Sequence, residues 1–292
     1  MRFFLAAVTA ASALLVAGCE EPFATDRQLG GQLLLSSQFA AGELPLVRVT
    51  TLDHLGDPVA DEALAAAKVM LRNTDGGIAT LRALGGTDPT TTLFGGDTRP
   101  VISGLGYELE LAVPGYTRVS SQTSVPPAIS YELRAAVARF DPERQRASFE
   151  LGIPRTTGVV NFFHLLAESV RPDATAAGGG AGVPIALSLD EPSTAVSDDE
   201  RGVFFELPAS SSPAPFVARL HAQLPSGAAS GAGAVRLTVR TVSEDYYRYY
   251  VARTTGPNGV PNPKFVGVND NIDGGSGLFG SYTEEVFDIE VE

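Results

Sequence analysis

The sequence predicts a mainly β protein: an N-terminal β-sandwich followed by a second β-rich domain with one or two short helices. Three observations carry this reading. Short runs of alternating apolar and polar residues recur along the chain, as in "YELELAV" (107–113) and "AVRLTVRTVS" (234–243). The chain holds 31 Gly and 20 Pro, which punctuate it too often for long helices. At 292 residues and 44% hydrophobic, it has material for about two cores.

The strand signals begin with "QLLLSSQF" and "LVRVTTL" (46–52). In the second run Val47 and Val49 face one way and Arg48 and Thr50 the other, since side chains alternate along a strand. "GDPV" (56–59) is turn chemistry. In "DEALAAAKVMLR" (61–72) Ala, Leu and Glu favour helix and "KVMLR" favours strand, so a short helical insert is expected to run into a strand. "GIATLRAL", "YELELAV" and "YTRVSSQT" (116–123) follow as strands, with Tyr107, Leu109 and Leu111 opposite Glu108 and Glu110. Roughly five to seven short strands of this kind suggest a β-sandwich over 31–125. "SVPPAI" (124–129) then breaks the pattern, because two prolines cannot sit in a central strand. The second domain is therefore placed at 126–292.

That domain restarts with "SYELRAAVARF", "RASFELGI" and "GVVNFFHLLAESV", and continues with "GVFFELP" and "AVRLTVRTVS". Two Gly/Ala-rich tracts, 174–182 and 225–234, read as loops by composition. "SEDYYRYYVART" (243–254) reads as a helix, with Ser243 as N-cap and Glu244 and Asp245 in the first turn. Tyr246, Tyr249 and Tyr250 then share one helix face. The terminal "EEVFDIEVE" is a strand, with Phe287, Ile289 and Val291 on one side and Asp288, Glu290 and Glu292 on the other.

The formal net charge of −13 disfavours nucleic acid or an anionic surface as partner, since both need a basic face. Gly275, Gly277 and Gly280 match the G-x-G-x-x-G spacing that cradles a pyrophosphate. That motif needs a helix after it, and the residues after Gly280 read as a strand. An EF-hand reading fails as well, with Asn269 at the first ligand position and Gly280 at the twelfth. Asp270 and Asp273 remain oxygen donors for some other geometry. Gly274, Gly275, Gly277 and Gly280 are read as a tight structural loop, because Gly alone enters positive φ freely.

His54, His164 and His221 lie more than 50 residues apart and form no ligand pair; His164, in "NFFHLL", reads as a packed core residue. There is no G-x-S-x-G elbow, since Leu278 stands where the last Gly belongs. No carboxylate spacing singles out a catalytic pair. No catalytic residue, metal or cofactor is expected. Tyr246, Tyr249 and Tyr250 are the binding candidates. Exposed, they would stack on a sugar ring or a partner's apolar surface. Packed, they are the core face of a helix, which their spacing favours. The absence of Trp weakens a sugar platform.

The N-terminus carries an address. Arg2 precedes the apolar run Phe3–Val16, too short for a span of about 20 residues. The run ends in "LVAGC", which resembles the lipobox of bacterial lipoproteins. On that resemblance 1–18 is a signal peptide, Cys19 carries the acyl chains, and 19–30 is the tether. Several acyl chains, at about 0.8 kcal/mol per buried CH₂, make a stable membrane anchor. Cys19 is the only cysteine, which leaves no internal disulfide and no thiolate cluster. Glu20 and Glu21 resemble the acidic export tag of surface-displayed Bacteroidota lipoproteins; the plainer reading is a solvated tether.

Taken together, the lipobox, the sandwich, the tyrosine-rich segment and "NIDGGSGLFG" (271–280) resemble the Bacteroidota lipoprotein family known as domain of unknown function 4249. The resemblance covers the chain from just after Cys19 to near its end. It rests most on Tyr246, Tyr249 and Tyr250, then Val268, Asn271, Ile272, Gly274, Gly275, Gly277, Phe279 and Gly280. Leu278 stands where the family more often has Ile. The resemblance implies an immunoglobulin-like or carboxypeptidase-regulatory-like N-terminal sandwich and no known activity. It also implies an outer-membrane location and an accessory or ligand-binding role beside a TonB-dependent transporter, with Glu20 and Glu21 favouring the surface side over the periplasmic face. A surface adhesin or structural spacer is the alternative, with a carboxylate-based hydrolase behind it.

Overall fold

The protein is described by a computed structural model. It covers residues 32–292, except 54, 60–61, 86–87, 89, 97–98, 135–136, 171–181, 192–194, 199–201, 226–233 and 255–269. Cys19 with its flanking segments, His54, Val268, Asn269 and most of both Gly/Ala tracts lie outside the described residues. Among those residues the chain is mainly β, built on one large mixed sheet system.

Period-two alternation sets the N-terminal strands. They are β1 (Gln32–Ala40), β2 (Leu46–Leu52), β3 (Lys68–Asn73), β4 (Ile78–Gly85), β5 (Thr91–Gly95), β6 (Gly106–Ala112) and β7 (Val119–Ser124). A 3₁₀ turn at Glu62–Ala66 leads into β3, so the expected helical insert does run into a strand. One layer runs β5–β2–β1 and the other β3–β6–β7. Strand β4 joins both: Ile78 to Leu81 pair with β3, and Arg82 onward pairs with β5 past an irregularity at Ala83/Gly85. Leu35, Val47, Val49 and Phe94 from the first layer meet Val69, Leu109, Leu111 and Val119 from the second in one buried cluster. Each such side chain stabilises the fold by about 1.5–3 kcal/mol relative to leaving it in water.

The second set is β8 (Glu132–Leu133), β9 (Val137–Asp141), β10 (Arg146–Ile153), β11 (Asn161–Val170), β12 (Val183–Pro184), β13 (Leu187–Leu189), β14 (Val196–Asp198), β15 (Gly202–Leu207), β16 (Phe216–Gln223) and β17 (Ala234–Val242). Helix α1 (Glu244–Thr254) and strands β18 (Ile272–Asp273) and β19 (Ser276–Val291) close the chain. One layer runs β17–β11–β15–β14, the other β9–β10–β16–β13. Between them lie Phe149, Leu151, Phe163, Leu165, Phe205, Leu220 and Val235.

Strand β19 belongs to both halves. Its first part pairs parallel with β1, from Leu34↔Ser276 to Ala40↔Tyr282. Its second part pairs antiparallel with β17, from Val242↔Tyr282 to Ala234↔Glu290. One sheet therefore runs unbroken from β5 to β14. Phe279 enters the N-terminal core, while Ile289 and Val291 enter the C-terminal one. This corrects the expected span of the second domain: residues 272–281 return to the first sandwich, where β18 also pairs with β7. It also corrects the loop. Gly274 and Gly275 form a turn, but Gly277 and Gly280 lie inside β19. Gly277 and Gly280 read as loop because φ freedom is a loop signal; here they serve close packing within a strand.

Candidate functional site

The turn before β19 is held by side chains. Asp270 accepts the Ile272 N–H through Oδ1 (2.8 Å) and the Gly277 N–H through Oδ2 (2.9 Å). Asn271 accepts the Phe279 N–H (3.0 Å) and donates to the Phe279 (2.8 Å) and Gln122 (3.1 Å) carbonyls. Asp270, a conceivable calcium ligand from sequence, thus spends both oxygens on backbone donors. A Cβ on Gly277 (φ +123°) would stand 1.9 Å from the Leu35 carbonyl oxygen, and one on Gly274 (φ +78°) 2.2 Å from that of Arg118. At Gly275 the nearest atom would be the Leu33 oxygen at 2.9 Å, and at Gly280 the Tyr246 Cβ at 3.0 Å. The four glycines let this segment press against β1, β7 and α1.

Helix α1 starts where the sequence puts it. Ser243 Oγ accepts the Tyr246 N–H (3.3 Å) as an N-cap and also takes the Ser281 N–H of β19 (3.1 Å). Tyr246, Tyr249 and Tyr250 do share a face, and that face packs down. Tyr246 is 1% exposed and bonds His164 Nδ1 at 3.0 Å. His164 in turn stacks on Phe204, ring centroids 4.1 Å apart. Burial pushes the Tyr246 hydroxyl pKa up, against the pull of Arg240. Tyr249 and Tyr250 are half-buried; Gln38 donates to the Tyr250 hydroxyl, and the Arg253 guanidinium lies 4.3 Å from the Tyr249 ring centroid. The structure thus brings the three together as a cluster joining α1 to both halves, with only parts of Tyr249 and Tyr250 reachable from solvent.

A polar cavity of about 560 Å³ opens where β3, β6 and β7 meet the start of α1. Arg72, Glu108, Gln122, Ser124, Glu244 and Asp245 line it. Burial first, and then Glu244, push the Asp245 carboxyl above its ordinary value, against a hydrogen bond from Asn271. Three carboxylates against one guanidinium suit a polar ligand carrying hydroxyl or cationic groups. Among the described residues no group of three or more His, Cys, Asp or Glu is placed to hold a metal ion. Sequence reasoning missed this cavity, because its walls come from four separate stretches and none carries a motif.

The fold also aligns a serine, a histidine and an aspartate. Ser148 Oγ lies 2.8 Å from His221 Nδ1, and His221 Nε2 lies 3.0 Å from Asp190 Oδ1. Such a chain can activate a serine, but a nucleophile also needs donors for the developing oxyanion. Ser148 faces His221 across β10–β16 and Arg139 across β10–β9, so the surrounding backbone is committed to ladders. Ser148 also alternates with core residues Ala147 and Phe149, which puts it on the face away from the core. This is a cross-strand polar ladder.

The family model described as Domain of unknown function (DUF4249) matches residues 20–287. The chain belongs to that family. The match spans both halves and β19 as far as Phe287, so most of the shared sheet lies within the family domain. No curated protein matches the sequence. Among solved structures, a Salmonella alpha-2-macroglobulin variant aligns at 13% identity over 73% of this chain and 14% of its own, with TM-score 0.28. A DUF4785 family protein from Legionella pneumophila aligns at 7% over 71% of this chain and 52% of its own, TM-score 0.24. A pullulanase from Anoxybacillus sp. LM18-11 complexed with maltotriose aligns at 10% over 70% and 24%, TM-score 0.22. The chain thus spans from about one seventh to about half of the length of these structures.

Proposed function

We propose that this member of the DUF4249 family is a cell-envelope lipoprotein without catalysis of its own, anchored through Cys19 in the outer membrane. In this reading it is an accessory or ligand-binding partner of a TonB-dependent type transporter. The observation that carries the reading is the cavity between the N-terminal sandwich and α1, about 560 Å³. That volume lies within the roughly 300–1,000 Å³ of small-ligand sites. The N-terminal sequence supports the anchor, and the acidic tether residues Glu20 and Glu21 support the surface side. The test is affinity capture of the full chain from solubilised outer membrane. A β-barrel transporter should co-purify; recovery of the lipoprotein alone counts against the partnership. Cys19→Ser should leave a folded protein that no longer sediments with membranes.

A surface adhesin or spacer is the second reading. Burial of Tyr246 and the run of β19 through both cores favour it, since both favour rigidity over an adaptable binding face. Deletion that spares uptake but abolishes attachment would select it.

A further inference from the structure

A second cavity, of about 430 Å³, opens in the N-terminal sandwich between the start of β4 and residues 99–102. Its wall is apolar: Leu71, Ile78, Ala79, Pro100, Val101 and Ile102. Ile78 is 57% and Ile102 52% exposed, so two large aliphatic side chains flank a concave surface that the described residues leave open.

Its polar groups are all of one kind. Arg99 stands beside Gly77, where a Cβ would come 3.2 Å from Arg99 Nη1. Among the described residues no ion pair or hydrogen bond engages that guanidinium. Tyr107 accepts the Ile102 N–H at 2.8 Å, which leaves its own hydroxyl proton to give. Asn73 spends Oδ1 on the Gly77 N–H at 2.6 Å, which leaves its Nδ2 hydrogens as donors. No Asp or Glu lines the cavity, in a chain of net charge −13. An apolar wall with side-chain donors and one guanidinium is complementary to an anion with an apolar body. A guanidinium fork and a carboxylate match as a bidentate pair.

We propose that this cavity binds an anionic amphiphile, a carboxylate on an apolar chain or ring. Its carboxylate sits at Arg99, assisted by Tyr107 and Asn73, and its body lies between Ile78 and Ile102. The site shares Tyr107 and Asn73 with the rim of the acidic cavity but differs from it in charge. The proposal goes beyond the transporter partnership and does not depend on it.

Calorimetric titration of the full chain with octanoate tests this. Saturable one-site binding with a negative heat-capacity change is expected, since apolar surface is buried. Octylamine, with the same chain and the opposite charge, should not bind. Arg99→Gln, at an exposed position, should keep the melting temperature and weaken octanoate by about tenfold or more, as loss of a charge-assisted pair does. Ile78→Glu should abolish binding, and Glu244→Gln in the other cavity should leave it unchanged. Unsaturable uptake, equal binding of octylamine, full affinity in Arg99→Gln, or loss of affinity in Glu244→Gln would each overturn the proposal. None of these outcomes bears on capture of a transporter.

Discussion

Gly277 and Asn271 show how single residues fix the junction. At Gly277 a Cβ meets the Leu35 carbonyl oxygen at 1.9 Å while φ is +123°. Neither strand can retreat without opening the core around Phe279. Gly277→Ala should therefore cost roughly 3 kcal/mol or more, combining strain with overpacking. Gly76 also has positive φ, +82°, but open space around its would-be Cβ. Gly76→Ala should cost only about 1 kcal/mol. Denaturant unfolding of the two variants checks the contrast; equal costs would mean that close approach does not matter. Asn271→Ala should cost about 2–4 kcal/mol, since it strips the Phe279 N–H and carbonyl of their side-chain partner. Asn271→Asp should recover little, because a carboxylate keeps the Phe279 N–H but faces two carbonyls. The importance of these glycines was legible in the sequence. Their partners were not, because Leu35, Arg118 and Tyr246 lie far away in the chain.

At the scale of elements, legibility followed local periodicity. The alternations in β6 and β17 read correctly because each strand buries one face along most of its length; in β2 the alternation holds only at Val47–Val49, and Thr50, expected on the outer face, is buried. Helix α1 read correctly because Ser243 and the acidic first turn are local signals. Strand β5, "TTLFG", was missed: three of its five residues are only half-buried and the run is polar at its start. The Ser148–His221–Asp190 ladder was equally invisible, since it exists only once β10, β13 and β16 are in register. The cap of α1 offers a test at this scale. Ser243 Oγ serves two N–H groups, from the helix and from β19, and the residue is buried. Ser243→Ala should cost about 2 kcal/mol, the upper end for a lost N-cap, because the Ser281 N–H is orphaned as well. Urea unfolding of this variant against an exposed serine-to-alanine control such as Ser212→Ala reads the difference.

For the whole molecule, the decisive feature is that β19 is structural in both cores. Losing either core releases part of the strand and weakens the other, so unfolding should be one cooperative transition. Alkaline pH can reveal this. Tyr131 lies in the C-terminal core, where burial pushes its pKa up to about 12, against the hydrogen bond it shares with Thr241. A phenol whose folded pKa exceeds its unfolded value of about 10 contributes stability that is complete below pH 10. That contribution is lost as pH rises from 10 through 12. The two-unit difference corresponds to roughly 2–3 kcal/mol. Tyr246, raised further by burial, adds to the loss in the same direction. Stability against urea should therefore fall steeply above pH 10, and Tyr131→Phe should flatten that slope. Protection against hydrogen exchange at Leu109 and Leu220, relative to the intrinsic rate at each pH, should fall together above pH 10, although only the second residue packs in the core of Tyr131. If Leu220 loses protection while Leu109 keeps it, the two cores unfold separately and β19 does not couple them.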